Sequence, residues 1–290
     1  MSIWHHFGSV CGSRLWDKTD TSMSKKRELA GRRLRGDADV STVPDLGNAN
    51  GGNDVSHCER TAVGALIFSK QKERRSTMKL SPSAFQLYAI TAPAADLTDQ
   101  VRAAIAGGIT MLQIREKNCT TQRLIQLAYP IVSICRNAGI PCIINDDVEA
   151  ARVLGADGVH VGQRDMKLKK AREILGEDAV LGTSAHSVEE AIRAEQEGAD
   201  YIGCGAVFPT GTKSDTSHLS FDTLCAIRKA VSIPVIAIGG INTQNLPQIY
   251  GSGINGIAVV SAIFGEPDVQ QAARTLRQMT EAFQEMECTQ

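Results

Sequence analysis

Residues 139–147 read GIPCIINDD, and this short stretch contains the pattern on which the fold depends. A glycine follows a helical pattern, an apolar run from Cys142 to Ile144 comes next, and polar residues close the stretch. A short apolar run without polar alternation is typical of a parallel strand that is buried on both faces. The polar residues Asn145, Asp146 and Asp147 would then lie at the carboxyl end of that strand.

The same order of glycine, apolar run and polar cluster recurs along the chain from about Gln86. Helical patterns separate the apolar runs, and a glycine just past a helix supplies the positive φ that closes it. Strands are predicted at Leu87–Thr91, Met111–Arg115, Cys142–Asn145, Gly158–Val161, Val180–Thr183, Tyr201–Gly205, Val235–Gly239 and Ile257–Val260. Helices are predicted between them, among others at Thr98–Ala106, Thr121–Asn137, Val188–Glu197, Asp222–Ala230 and Gln270–Phe283.

Eight such βα units in about 200 residues predict an α/β fold, a (β/α)8 TIM barrel. The alternative is a doubly wound open sheet. Its strongest sequence signal is a G-x-G-x-x-G turn after the first strand. That turn is absent here, so we favour the barrel.

Residues 1–77 differ from the rest in composition. The stretch 36–56 is rich in Gly, Asn, Asp and Ser and has no apolar periodicity. Such a segment cannot bury enough apolar surface to offset chain entropy, so we predict a low-complexity, disordered extension. Its acidic residues and the lack of an apolar core segment do not favour a targeting peptide. Met78 reads as a translation start, which predicts a catalytic barrel domain over residues 78–290.

The bulk numbers exclude several classes of function. The formal net charge is −1 at pH 7, so no overall field favours nucleic acid or an anionic membrane. The apolar runs are too short to span a bilayer. The eight cysteines form no C-x-x-C pair, which predicts reduced thiols and a cytoplasmic location. Oligomeric state is not fixed by the sequence, and a homo-oligomer stays open.

Gln113, Arg115 and Lys117 alternate at the end of the second predicted strand. A period of two places alternate side chains on one face, here at the barrel mouth. An arginine grips phosphate in bidentate fashion, and a lysine adds a point charge. We favour an anion site over a solvated strand end, because three such groups inside a barrel are costly without a partner.

Carboxylates follow the third and fourth predicted strands, at Asp146, Asp147 and Asp165. Mg²⁺ typically takes one or two carboxylates together with water and substrate phosphates. We predict Asp146 and Asp165 as Mg²⁺ ligands, although Asp165 has the alternative of a cap or turn. Asp147 is predicted to cap the helix that begins at Val148.

Ser184-Ala-His186 follows the fifth predicted strand. His186 would be either a base or an ordinary polar residue at the start of the next helix, with Ser187 as its cap, and the sequence does not decide between them. His160 lies inside the fourth strand, where we predict a packing or hydrogen-bonding role.

A second phosphate site is predicted from three later segments. Residues 209–213 read PTGTK and open the longest loop, whose hydroxyls and backbone N–H groups can cradle a phosphate under a mobile lid. Gly239-Gly240 and Val260-Ser261 end strands seven and eight. The loops after these two strands frequently form the phosphate site of TIM barrels.

Taken together, the motifs resemble those of the thiamine phosphate synthase family. The resemblance runs from about Leu87 to Phe283 and leaves out the first 77 residues. It rests on an ordered set of segments: QIREK (113–117), INDD (144–147), GVHVGQRD (158–165), GTSAH (182–186), ADYIGCGAVFPTGTK (199–213), IAIGGI (236–241) and GIAVVSAI (256–263).

The resemblance implies a reaction between two small phosphorylated substrates. A pyrimidine diphosphate is joined to a thiazole phosphate, giving thiamine phosphate and diphosphate with Mg²⁺ as cofactor. It implies that the pyrimidine diphosphate is held by Gln113, Ile114, Arg115, Glu116, Lys117, Asn145, Ser184 and Lys213. It implies that the thiazole phosphate is held by Thr210, Gly211, Thr212, Gly240, Val260 and Ser261, with Asp146 and Asp165 on the metal. Arg115, Lys117, Lys213 and Ser184 would be the catalytic residues.

One position departs from the family pattern, because Ser220 stands where a glycine is expected ahead of the sixth barrel helix. Three rival functions share the scaffold. A related thiazole tautomerase would use the histidine at position 186, but it has no need of the diphosphate and metal residues. A non-catalytic sensor of phosphorylated metabolites is the second rival. A sugar phosphate isomerase is the third, and no paired acid and base favours it.

Overall fold

The computed structural model of this chain describes residues 80–163, 165–210 and 218–287, with side chains described up to Glu281. The predicted disordered extension, most of the 209–213 loop and Arg164 lie outside the described residues. Among the described residues, every helix is too short or too polar to cross a membrane.

Eight parallel strands form a closed barrel in which each strand pairs with the next and the eighth pairs with the first. The strands are β1 (Leu87–Ile90), β2 (Met111–Ile114), β3 (Cys142–Asn145), β4 (Gly158–Val161), β5 (Val180–Ala185), β6 (Tyr201–Cys204), β7 (Val235–Ile238) and β8 (Gly256–Val259). The prediction of a (β/α)8 barrel is confirmed.

Helices follow the strands along the outside of the barrel. They are α1 (Leu97–Ala106), α2 (Thr121–Ala138), α3 (Val148–Leu154), α4 (Leu168–Leu175), α5 (Val188–Gln196), α6 (Phe221–Ala230), α7 (Ser261–Phe264) and α8 (Val269–Glu287). Short 3-10 helices precede β1, at Pro82–Phe85, and follow β7, at Leu246–Ile249.

Alternation along each strand divides the core into two layers. On β2, Met111 packs inside the barrel, whereas Leu112 and Ile114 pack between the strands and the helices. Tyr88 and Tyr201 are large, nearly inaccessible members of the inner layer. Because successive side chains of a strand point to opposite faces, Gln113 lies on the inner side with Met111. The barrel therefore has a packed interior with a few polar groups near its carboxyl end.

The predicted strand ends differ from the observed ones by one or two residues. Strands β1, β2, β6, β7 and β8 each end one residue earlier than predicted, whereas β5 continues through Ser184 to Ala185. Ser184 therefore lies within β5, and the prediction that it follows the strand is wrong. Glycines and polar residues at a strand end can either continue the ladder or begin a turn, and pairing with the neighbouring strand decides between them.

Two helices begin at side chains that act as N-caps. Asp147 caps α3 as predicted, because its Oδ1 accepts a hydrogen bond from the Ala150 N–H at 2.8 Å. Ser220, which departs from the family pattern, caps α6 by accepting a hydrogen bond from the Thr223 N–H at 3.1 Å. A serine at this position satisfies a helix N–H that a glycine would leave to solvent.

Candidate functional site

A single cavity at the carboxyl end of the barrel collects most of the predicted site residues that the structure describes. Its empty space, including the part open to solvent at its mouth, is about 980 Å³. That is in the range of cavities that hold small organic ligands. Eight predicted residues line it: Gln113, Arg115, Asn145, Ser184, Thr210, Gly240, Val260 and Ser261.

The other predicted residues lie elsewhere or outside the described residues. Gly211, Thr212 and Lys213 belong to the part of the loop that is not described. Ile114 is buried between the barrel and the helices, so that its backbone alone can face a ligand. Neither Glu116 nor Lys117 is among the residues that line the cavity.

The prediction that Lys117 shares a strand face with Gln113 and Arg115 is wrong. Strand β2 ends at Ile114, and Lys117 lies in a turn next to Asn118, whose φ is 58°. The period of two therefore does not carry from Gln113 and Arg115 to Lys117, because the chain has left the strand. Lys117 is exposed, and its long side chain would have to reach back to act at the cavity.

Arg115 is the described cation that lines the cavity. Its backbone N–H donates to Thr91 Oγ1 at 2.9 Å, which fixes the residue at the end of β2. Its Nη2 is buried and has no hydrogen-bond partner among the described residues. Burial lowers the pKa of the guanidinium, and the nearby Asp146 carboxylate acts in the opposite direction. A half-buried cation with an unpaired donor is suited to bind an anion.

Asp146 adopts a backbone conformation that is uncommon for a residue with a side chain. Its φ is 63°, its N–H donates to the His160 carbonyl at 2.8 Å, and Asn145 Nδ2 donates to its Oδ2 at 2.6 Å. These contacts hold an exposed carboxylate beside the cavity, between β3 and β4. Strained backbone of this kind is common at functional sites.

Asp165 makes the turn contact that was one of its two predicted roles. Its Oδ2 accepts a hydrogen bond from the Gly162 N–H at 2.7 Å, and its side chain is exposed. Among the described residues, no three His, Cys, Asp or Glu side chains form a group that could hold a metal ion. Exposed carboxylates are the kind of ligand that Mg²⁺ takes together with water and phosphate. Neither Asp146 nor Asp165 is among the residues that line the cavity, and Asp165 lines a smaller pocket with Gly162 and Arg193.

Gly239 and Gly240 allow the loops after β6 and β7 to approach each other at the cavity. Their φ values are 104° and 64°. A Cβ on Gly239 would overlap Ala206, and one on Gly240 would overlap the backbone of Pro209. Glycine is therefore required at both positions, because the loop after β6 lies directly against the loop after β7.

His186 lines the cavity and is paired with Glu190. Glu190 Oε2 accepts a hydrogen bond from the His186 N–H at 2.7 Å and lies 3.2 Å from its Nδ1. Ser187 caps α5 as predicted, by accepting from the Glu190 N–H at 3.2 Å. Both predicted roles of His186 agree with this position, so the choice between them stays open.

The floor of the cavity contains residues that the sequence reasoning did not single out as site residues. Tyr88 and Tyr201 line it together with apolar side chains such as Ile236. The predicted hydrogen-bonding role of His160 is confirmed, because its ring lies 3.1 Å from the Tyr201 hydroxyl and 3.1 Å from Ser184 Oγ. The alternation along β1 and β6 could have placed Tyr88 and Tyr201 on the inner face of the barrel. A tyrosine within a strand, however, is usually interpreted as a core residue.

Comparison with known proteins identifies a family that spans most of the described barrel. The sequence model described as Thiamine monophosphate synthase matches residues 87–263. A protein of Ruminiclostridium cellulolyticum named thiamine-phosphate synthase is 48% identical over 180 residues, which cover 62% of this chain and 86% of that protein. One of Chloroflexus aurantiacus with the same name is 47% identical over 186 residues, covering 64% and 86%.

A solved structure gives the same result in three dimensions. Thiamine phosphate pyrophosphorylase from Pyrococcus furiosus superposes with a TM-score of 0.66 at 37% identity, covering 70% of this chain and 98% of that one. The region matched by the family model contains the described residues that line the cavity. This chain therefore belongs to the thiamine monophosphate synthase family.

Proposed function

We propose that this chain is a thiamine-phosphate synthase, a transferase of thiamine biosynthesis. It would join 4-amino-5-hydroxymethyl-2-methylpyrimidine diphosphate to 4-methyl-5-(2-hydroxyethyl)thiazole phosphate, giving thiamine phosphate and diphosphate. The observation that carries the proposal is Arg115, a half-buried cation with an unpaired Nη2, on the wall of a cavity that also contains the predicted thiazole-phosphate residues. The names of the relatives support the same reaction.

The reaction is a substitution at the methylene carbon of the pyrimidine. The bond between this carbon and the diphosphate oxygen breaks, and its electron pair leaves with the diphosphate. Electron release from the amino group of the ring stabilises the cation that remains. The lone pair of the thiazole nitrogen then forms the new C–N bond. Negative charge grows on the departing diphosphate, so fixed positive groups around it lower the barrier.

The predicted site residues have distinct roles in this reaction. Arg115 binds the leaving diphosphate, Asn145 donates a hydrogen bond beside it, and Ser184 donates one to the pyrimidine part of the same substrate. Gln113 holds the pyrimidine ring from the inner face of β2. Lys117 and Lys213 would add positive charge from the loops after β2 and β6. The thiazole phosphate would be bound on the opposite side of the cavity by Gly240, Val260, Ser261 and Thr210, where the loops after β6 and β7 lie against each other.

We place Mg²⁺ at the carboxylates that follow β3 and β4, the strands that would face the pyrimidine diphosphate. Asp146 and Asp165 would hold it together with the substrate diphosphate. When bound, the ion neutralises charge on the leaving group. Asn145 Nδ2 donates to Asp146 Oδ2 at 2.6 Å, and this hydrogen bond supports the proposal because it orients the carboxylate.

Location and domain limits belong to the same proposal. The described cysteines are all free, and Cys135, Cys142 and Cys204 are buried, which supports a reducing, cytoplasmic setting. The catalytic domain would be residues 78–290, with residues 1–77 as an extension. Its partners would be the two phosphorylated substrates, with neither nucleic acid nor membrane among them.

The test is diphosphate release by the full-length chain supplied with both precursors and Mg²⁺, leaving out one component at a time. We expect release that requires all three, with thiamine phosphate formed in equal amount. Binding of a single precursor without product would favour a tautomerase or a sensor. Expression of residues 78–290 alone, assayed in the same way, tests whether the extension is dispensable.

A further inference from the structure

A continuous run of hydrogen bonds crosses the floor of the cavity and joins two of its walls. Gln113 Nε2 donates to the Tyr88 hydroxyl at 2.7 Å, and the Tyr88 and Tyr201 hydroxyls are 2.9 Å apart. Tyr201 Oη lies 3.1 Å from His160 Nδ1, and His160 Nε2 lies 3.1 Å from Ser184 Oγ. We call this run the floor relay. It links β2, β1, β6, β4 and β5, and its two ends are the predicted pyrimidine residues Gln113 and Ser184.

The middle of the floor relay is excluded from water. Tyr201 is 0% exposed and Tyr88 is 2% exposed. Burial raises the pKa of both phenols above the ordinary value of a tyrosine. Each hydroxyl therefore keeps its proton at neutral pH and brings one proton to the run.

The protons of the relay fix its direction. Gln113 Nε2 supplies the proton of the first link, so Tyr88 can donate its own proton to Tyr201, and Tyr201 can donate to His160 Nδ1. A neutral His160 then carries its proton on Nε2 and donates it to Ser184. The hydroxyl proton of Ser184 is left to point into the cavity. At the other end, Gln113 Oε1 is left to accept.

The surrounding backbone is shaped around the two aromatic members of the relay. Gly182 pairs with Tyr201 across β5 and β6, and a Cβ at position 182 would overlap the Tyr201 ring. A Cβ on Gly203 would lie 3.4 Å from His160 Cε1. Phe85 also packs against Tyr201, with ring centroids 5.4 Å apart. These contacts leave the phenol and the imidazole little freedom to turn away from each other.

We propose that Tyr88, Tyr201 and His160 are positioning residues that set Gln113 as an acceptor and Ser184 as a donor for the amino-bearing ring of the pyrimidine substrate. The inference rests on the proposed function, since it assigns the ring of that substrate to this end of the cavity. An exocyclic amino group donates to the Gln113 carbonyl, and the Ser184 hydroxyl donates to an acceptor of the same substrate. The relay would thus select an aminopyrimidine over a ring that lacks the amino group.

Tyr201→Phe in the full-length chain breaks two links of the relay while keeping the aromatic packing. We expect the dissociation constant of the pyrimidine diphosphate to rise about tenfold, the effect of one lost buried hydrogen bond. The loss should be smaller for the analogue with hydrogen in place of the amino group, because this analogue makes no contact with the Gln113 carbonyl that the variant could weaken. Inorganic diphosphate and the KM for the thiazole phosphate should stay within about twofold, because neither uses the ring contacts.

Two further variants control the experiment. Tyr88→Phe breaks the first two links and should give the same selective loss. With two relay variants, the test can still be made if one of them folds poorly. Tyr250→Phe removes a phenol that donates to the Met279 carbonyl at 3.1 Å and does not line the cavity. It should leave all four binding values unchanged. Equal weakening of pyrimidine diphosphate and inorganic diphosphate, or no change with either relay variant, would overturn the proposal.

The ligand-free protein offers a second readout that does not depend on turnover. Nitrogen-15 NMR of the histidine rings, with His160 assigned by its absence in His160→Gln, reports which ring nitrogen carries the proton. We expect a neutral ring with the proton on Nε2. A proton on Nδ1, or on both nitrogens, would reverse or break the relay and refute the assignment. The wild-type protein could form no thiamine phosphate and still show the selective binding loss and the Nε2 proton of His160. In that case the proposed function would be wrong, whereas the relay would stand.

Discussion

Arg115→Met is the substitution that most directly separates binding from folding in this protein. The guanidinium carries a buried Nη2 without a hydrogen-bond partner among the described residues. Burial lowers its pKa, because water stabilises the charged form, and the nearby Asp146 carboxylate acts in the opposite direction. Methionine keeps much of the apolar stem and removes both the charge and the orphaned donor. We therefore expect the variant to lose activity and gain stability.

The magnitudes follow from the contacts. A hydrogen bond to a charged group contributes about 1.5–3 kcal/mol, so the loss of a bidentate grip on diphosphate would cost about 3–4 kcal/mol. That corresponds to a fall in kcat/KM of about 10²–10³-fold. In the ligand-free protein, an unpaired buried donor costs about 1–3 kcal/mol. Because Arg115 is only half-buried, we expect a gain of about 1 kcal/mol, or about 2–4 °C in Tm.

The assay compares diphosphate release with thermal unfolding for the same protein preparations. Arg152→Met is the matched control, because Arg152 is exposed and pairs with Glu149 on the outer face of α3. It should keep full activity and unfold at nearly the wild-type temperature, because an exposed ion pair contributes little to stability. Arg115→Lys keeps the charge but cannot make the bidentate contact of a guanidinium, so an intermediate fall in kcat/KM of about tenfold is expected. If Arg115→Met were destabilised by more than about 1 kcal/mol, the guanidinium would have a structural partner and the reasoning would fail.

Two other expectations can be checked with simple titrations. Asp146→Asn should raise the Mg²⁺ concentration for half-maximal diphosphate release at least about tenfold. The control Asp147→Asn, at the cap of α3, should not change it. Equal titration curves for both variants would mean that Asp146 is not a metal ligand. Burial raises the pKa of Tyr88 and Tyr201, so the folded state keeps two protons that the unfolded chain loses above about pH 10. Their contribution is fully present below that pH, and stability should fall above it by about 1.4 kcal/mol per pH unit for each phenol. In urea unfolding, Tyr201→Phe should therefore show a slope that is smaller than that of wild type by about 1.4 kcal/mol per pH unit. An unchanged slope would mean that Tyr201 titrates normally.

Much of the fold could be predicted from the sequence because its signals are local. The apolar runs on both faces of each strand, the glycines that close helices and the caps at Asp147 and Ser187 act within a few residues of each other. The eight strands were located in this way, β3 and β4 with the observed ends and the other six with ends one or two residues off. Those ends depend on pairing with a neighbouring strand, which local sequence does not contain.

The site residues also divide into those that local motifs predicted and those that only the structure could place. Motifs at strand ends placed Gln113, Arg115, Asn145 and Ser184 at one end of the barrel, since the carboxyl ends of parallel strands meet there. The position of Lys117 could not be predicted, because alternation fails as soon as the chain leaves the strand and turns. The family pattern favours a glycine ahead of α6, but this chain has Ser220 there as a helix cap, and that role becomes visible only once the helix start is known.

By itself, the sequence determined the barrel, the end at which the polar groups collect and the family to which the chain belongs. Only the tertiary structure decided that Arg115 Nη2 is left without a partner among the described residues, that Asp146 is held in a left-handed conformation, and that Tyr88, Tyr201 and His160 join Gln113 to Ser184. The reason is that these properties depend on contacts between strands up to 113 residues apart in the chain. Closing the barrel brings such strands within hydrogen-bonding distance, and no local pattern records that closure.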